Sequence, residues 1–133
     1  MIINLVPQIK LAIIDDHKAW REKLSEMLVT VGFNIIITAT NGKVFLDALE
    51  KAKTLPNVCL LDISMPVMDG YETAEKLRES YPKIKILAFS MDTDETVIAR
   101  VITSGANGFI PKGVSLKELK NAIVEVYNTG FHL

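Results

Sequence analysis

Asp15 and Asp16 stand at the end of the apolar run IKLAII, and Asp62 stands at the end of VCLL. A carboxylate pair and a single carboxylate, each just past a buried-strand pattern, suit a metal and phosphoryl site better than ordinary surface charge. Strands of an open parallel sheet release the chain at their carboxyl ends, where such sheets hold ligands. Ser90 follows KILAF and Lys112 follows ANGFIP, so a hydroxyl and an ammonium stand at two more strand ends. Three carboxylates in one pocket repel one another, and a hard cation such as Mg²⁺ offsets that repulsion. A carboxylate is a weak nucleophile, so positioning and charge neutralisation would carry a phosphoryl transfer. Lys112 would place a point charge on the phosphoryl oxygens, and Ser90 a hydrogen bond that exists only after phosphorylation.

Each residue taken alone has a plainer reading. Asp15 and Asp16 could serve a helix N-terminus, Asp62 a turn, Ser90 a cap and Lys112 a solvated loop, with Phe109 a core aromatic. His17 reads as a solvent-facing residue at the start of a helix, and the Met65-Pro66 and Met68 cluster as a shaper of the loop beside Asp62. Only the constellation points to a site.

The elements that must position these residues alternate along the chain. Ile9 to Ile14 reads as a buried strand. Trp20, Leu24, Met27, Leu28 and Val31 then fall at helical spacing, and Gly32 stops that helix. Asn34 to Ala39 is a second strand, and Lys43 to Lys53 a helix broken by Pro56-Asn57. Val58 to Leu61 is the central strand. Asp69 with Glu72 opens a helix to about Ser80, which Tyr81-Pro82 ends. Ile84 to Phe89 is the fourth strand, and Asp92 with Glu95 marks the next cap, for a helix ending near Gly105. Asn107 to Ile110 is a short fifth strand, and Ser115 with Glu118 opens the last helix. Five strand–helix units imply a parallel sheet covered on both faces.

Composition narrows the function classes. The chain has 133 residues and a formal net charge of −1, which gives no basic footprint for nucleic acid. One domain of this length can bury its core without disulfides, and the lone Cys59 inside NVCLL reads as a buried core residue. No apolar stretch approaches the ~18 residues that span a bilayer. The start MIINLVPQIK lacks a basic region ahead of an apolar one, so a cytoplasmic protein without membrane attachment is the expectation.

From IKLAIIDDH through LLDISMPVMDG and AFS to GFIPK, the chain resembles the receiver domain of two-component response regulators. The resemblance implies an α/β fold: a doubly wound five-stranded parallel sheet, (βα)5 and flavodoxin-like, with strand order 2-1-3-4-5. It implies one receiver domain over residues 1–133, with its core at about 9–129. Asp62 then matches the phosphoacceptor. Asp15 and Asp16 match the acids that hold Mg²⁺, with Asp62 itself and the backbone carbonyl of Ser64. Ser90 matches the switch hydroxyl, Lys112 the family's lysine and Phe109 an aromatic that turns inward on switching. The partner implied is a sensor histidine kinase or a phosphotransfer protein, met through the first helix around Lys18, Ala19, Arg21 and Glu22. The phosphoryl group would switch the surface of the fourth helix, fifth strand and fifth helix. Its details look most like the subfamily with a helix-turn-helix output domain of the NarL/LuxR type, whose receivers often form homodimers on activation. That output domain is absent from these residues. Transcription control through it is one expectation; a stand-alone or degenerate receiver acting as a protein-binding adaptor is the alternative.

Other classes fit less well. The chain is not expected to be an enzyme beyond catalysing its own aspartyl phosphorylation and dephosphorylation. An aspartate-dependent phosphatase would need an acid two residues after its nucleophile, where Ser64 stands. A nucleotide-binding module would want a glycine-rich loop after the first strand, where Asp-Asp-His stands. Gly113 follows Lys112 where many receivers carry proline across a cis bond; a non-proline cis bond costs ~3 kcal/mol or more, so the isomer stays open. Met91, beside Ser90, is bulkier than the residue common there and is expected to shield a phosphoryl group from water.

Overall fold

Within each strand of the computed structural model, alternate apolar side chains face opposite layers of helices. The structure describes residues 8–132. In chain order the elements are β1 (Lys10–Ile14), α1 (Lys18–Thr30), β2 (Asn34–Ala39), α2 (Gly42–Lys51), β3 (Val58–Leu61), α3 (Gly70–Ser80), β4 (Lys85–Ser90), α4 (Glu95–Ser104), β5 (Gly108–Pro111) and α5 (Leu116–Thr129). The strands pair in parallel in the order β2-β1-β3-β4-β5.

Leu11, Ile13, Leu60, Leu87 and Phe89 pack with Leu24 and Leu28 of α1 and Leu119, Ile123 and Val126 of α5. Ala12, Ile14, Leu61, Ile86 and Ala88 pack with Phe45, Leu49, Leu77 and Val101 of α2, α3 and α4. This period of two on strands buried on both sides accounts for their continuous apolar runs. Cys59 lies wholly within the second cluster, where burial pushes its thiol up to about 12 and leaves it unreactive.

Side-chain caps set the helix starts. Asp69 accepts the Glu72 N–H at 3.0 Å and Ser115 the Glu118 N–H at 3.1 Å, as their spacing predicts. The fourth helix differs from the sequence expectation: Asp94, not Asp92, is its cap, accepting from the Thr96 N–H at 2.8 Å and the Thr96 hydroxyl at 2.7 Å. Asp92 instead accepts the Asp94 N–H in the approach loop. Helix α4 is tied to α3 at two points. The Arg100 guanidinium sits 3.8 Å over the Tyr71 ring, and Arg78 Nη1 donates to the Thr103 carbonyl at 3.2 Å. Every described peptide bond is trans, including that between Lys112 and Gly113.

Candidate functional site

Strand register brings the site residues together. Leu61 lies level with Ile14 on one side and Ala88 on the other, and Ser90 is level with Pro111. The Asp62 N–H donates to the Ile14 carbonyl and the Asp15 N–H to the Ala39 carbonyl, both at 3.0 Å, so the two acids emerge from adjacent strand ends. The Lys112 N–H donates to the Ser90 carbonyl at 2.9 Å, which fixes the root of the lysine beside the serine. Asp15, Asp62 and Ser90 are buried, while Asp16 and His17 are exposed.

Lys112 Nζ reaches Asp15 Oδ2 at 2.6 Å and lies 3.4 Å from Asp62 Oδ1. The backbone holds the remaining faces of the acids: Asp15 Oδ1 accepts the His17 N–H and Asp62 Oδ1 the Ile63 N–H, each at 2.9 Å. Arg21 Nη1 donates to the Asp15 carbonyl at 2.7 Å. Burial pushes the Asp62 carboxyl up to about 6; the Lys112 charge opposes that rise and the Asp15 charge adds to it. Near neutral pH the group is therefore ionised, in a place that resists its charge.

Asp16, Asp62, Ser64, Ser90 and Lys112 line one cleft of about 230 Å³, with His17 and Met91 also on its wall. One carboxylate, Asp16, borders it from the exposed side, and oxygen donors predominate. A hard divalent cation fits this donor set, and its charge would offset the burial and the Asp15 charge that raise Asp62. Ser90 Oγ accepts the Asp92 N–H at 3.0 Å and is therefore held by its own loop rather than by the acids.

Phe109, matched above to an aromatic that turns inward on switching, is buried in the same cluster as Met65, Ala88 and Val101.

Two features escaped the sequence. Trp20, read as part of a helical stripe, lies beside the site, with its ring centroid 6.0 Å from Lys112 Nζ and 6.1 Å from the Phe89 ring. Its Nε1 is buried and has no hydrogen-bond partner among the described residues. The signal available was its position, in the first turn of a helix that begins directly after the acidic pair. In the loop after Asp62, Val67 has φ 68°, and the Met68 N–H donates to the Pro66 carbonyl at 2.7 Å. That is a γ-turn of the rarer, left-handed kind, strained for a β-branched residue.

A fold of this topology with acids, a hydroxyl and a lysine at its strand ends defines a receiver domain. A family model described as the response regulator receiver domain matches residues 11–124, and the chain belongs to that family. The chain is 35% identical over 127 residues to the transcriptional regulatory protein LnrK of Bacillus subtilis, covering 94% of this chain and 56% of that one. It is 33% identical over 121 residues to the response regulator GacA of Pseudomonas syringae, covering 90% of this chain and 55% of the relative. The chain thus spans about half the length of the curated relatives it matches. Among solved structures, it is similar to the receiver domain of a putative response regulator NarL from Mycobacterium tuberculosis, with TM-score 0.84 and 26% identity, covering 92% of this chain and 98% of that one. It is likewise similar to a LuxR-family DNA-binding response regulator from Staphylococcus aureus, with TM-score 0.82 and 26% identity, covering 90% and 99%. No helix among the described residues is long and apolar enough to cross a membrane.

Proposed function

We propose that this receiver domain accepts a phosphoryl group on Asp62 from a phosphohistidine of a sensor histidine kinase or phosphotransfer protein. The observation that supports this most is the buried Asp62 carboxylate, 3.4 Å from Lys112 Nζ and in one cleft with Asp16, Ser64 and Ser90. An oxygen of Asp62 attacks phosphorus as the phosphorus–nitrogen bond breaks, and the donor imidazole leaves and regains its proton from solvent. Oδ1 is held by the Ile63 N–H, which leaves Oδ2 as the attacking atom. Asp16, Asp62 and the Ser64 carbonyl would hold Mg²⁺, with Asp15 behind them. The ion supplies positive charge to the transferring phosphoryl oxygens.

Lys112 neutralises the equatorial oxygens from the other side. Ser90 then leaves the Asp92 N–H and donates its hydroxyl proton to the phosphoryl group. That move would change the surface formed by α4, β5 and α5, with Phe109 turning as the serine vacates its place. Water later attacks phosphorus and releases inorganic phosphate, so the domain catalyses only its own modification and is no enzyme on outside substrates. The name of the relative LnrK, a transcriptional regulatory protein, supports a downstream role in transcription control; an output segment outside these residues and a homodimer on activation belong to the same proposal. The domain itself then binds neither nucleic acid nor membrane, and acts in the cytoplasm.

The test is incubation with Mg²⁺ and acetyl phosphate, followed by intact mass, with Asp62→Asn as control. One phosphoryl adduct that needs Mg²⁺ and is lost in the control is expected. A folded, Mg²⁺-binding protein that takes no adduct would overturn the reading in favour of a degenerate receiver acting by binding alone.

A further inference from the structure

After α5 the chain turns back onto the sheet. Gly130 closes the helix with φ 86°, a conformation that favours glycine, and the next residues run parallel to β5, with His132 paired to Gly108. The His132 N–H donates to the Asn107 carbonyl at 3.1 Å, and the Phe109 N–H donates to the His132 carbonyl at 3.2 Å. Asn107 fastens the segment a second time: its Nδ2 donates to the Gly130 carbonyl at 3.2 Å while its Oδ1 accepts the Ile86 N–H of β4 at 2.8 Å. His132 Nδ1 lies 3.0 Å from Glu125 Oε2 of α5.

The sheet is shaped for this strap. A Cβ on Gly108 would collide with the His132 carbonyl oxygen, so no other residue fits at that position while the strap is seated. Pro111, next along the outward side of β5, has no N–H to give. The outward backbone donor of the strand is thus Phe109, and the strap has taken it.

We propose that Gly130–His132 is a strap over the outer edge of β5 that loosens when Asp62 is phosphorylated. The inference rests on the phosphoacceptor reading. A contiguous path exists for it: the Ser90 carbonyl accepts the Lys112 N–H, Ser90 is level with Pro111, and two residues back Phe109 holds the strap. Drawing Ser90 toward Asp62 pulls the end of β4 and, with it, β5 away from the strap. Phe131, largely exposed, borders a groove with Ile102 and Gly105 at the end of α4, so the strap also meets the helix that follows Ser90.

The experiment is amide hydrogen exchange read at Phe109 and His132 in the full chain, before and after treatment with acetyl phosphate and Mg²⁺, with intact mass on the same samples. With adduct present, both amides should exchange roughly tenfold faster while Leu60 is unchanged. An adduct with unaltered or stronger protection at both would overturn the coupling. Gly108→Ala and His132→Pro, the second outside the helices and the five-stranded sheet, should release the Phe109 amide without any phosphoryl donor. Full protection of Phe109 in both variants would show that the strap does not form, and would equally sink the proposal. Absence of adduct would instead overturn the phosphoacceptor reading, taking the coupling with it, and the mass measurement separates that failure from the others.

Discussion

Lys112 and Asp15, 97 residues apart in the chain, form an ion pair of 2.6 Å, with both side chains nearly free of solvent. The same ammonium faces Asp62, so one cation serves two buried carboxylates before any metal arrives. Removing it leaves both acids uncompensated in a place that penalises charge.

Lys112→Ala should therefore destabilise the metal-free domain by about 3–5 kcal/mol, the usual cost of breaking a buried pair from one side. Millimolar Mg²⁺ should restore part of that loss. Urea melts with and without Mg²⁺ check both, and a variant as stable as the parent would show that the pair carries no net weight.

Asp62 gives a pH dependence of defined sign. Its carboxyl is pushed up to about 6 from 3.8, so the folded chain keeps a proton that the unfolded chain has already released. The associated stability is fully present below the unfolded value and is lost as pH rises through about 6. Without divalent cations, Asp62→Asn should be more stable than the parent near pH 7 by about 1–2 kcal/mol, with the gap closing near pH 4. A gap independent of pH would exclude buried charge as its cause.

Trp20 is the one tryptophan of the chain and lies against Lys112 and Phe89. Its fluorescence should change on titration with Mg²⁺ and saturate, and Asp16→Asn should weaken that response. An identical curve in Asp16→Asn would remove Asp16 from the ligand set.

Val67 pairs strain with exposure: a β-branched residue at φ 68°, 81% exposed, has little packing to lose. Val67→Gly should raise stability by about 0.5–1 kcal/mol as the relief of strain outweighs the added freedom of the unfolded chain. A thermal melt shifted downward would refute the strain argument.

Met91 is 78% exposed on the wall of the cleft that holds Asp62. If it shields the phosphoryl group, Met91→Ala should speed loss of phosphate from phospho-Asp62 about 2–5-fold, under ~1 kcal/mol on the barrier. An unchanged rate, followed by intact mass after removal of the donor, would end the shielding idea.

What could be read in the chain follows the range of the interactions. Val58–Leu61 and Asn34–Ala39 were legible to the residue because apolar and β-branched runs bounded by turn residues leave little choice. Asp69 and Ser115 were legible because a cap acts across three residues. The α4 cap shows the limit: Asp92 and Asp94 both precede Glu95, and Asp94 wins by holding both the N–H and the hydroxyl of Thr96. Asp94→Ala should lower the melting temperature more than Asp92→Ala does. The site residues were visible one by one at strand ends, but the Lys112–Asp15 contact, the place of Trp20 beside it and the seat of His132 on β5 arise from register across the sheet. No local pattern encodes those. Phe109 was recognised by position, yet the cluster that buries it includes Met65, Ala88 and Val101, which come from three other parts of the chain.

Helix α4 is secured differently from its neighbours. It buries Val101 and Ser104, with Val97, Ile98 and Ile102 partly buried against the core, whereas α5 buries Leu119, Ala122, Ile123 and Val126. Two arginine contacts tie it to α3 as well. With less apolar surface fully committed than α5, α4 should open as a separate cooperative unit below the free energy of global unfolding. A protease that cuts between Glu95 and Ser104 would then act on the folded domain through brief local excursions, long before the sheet gives way.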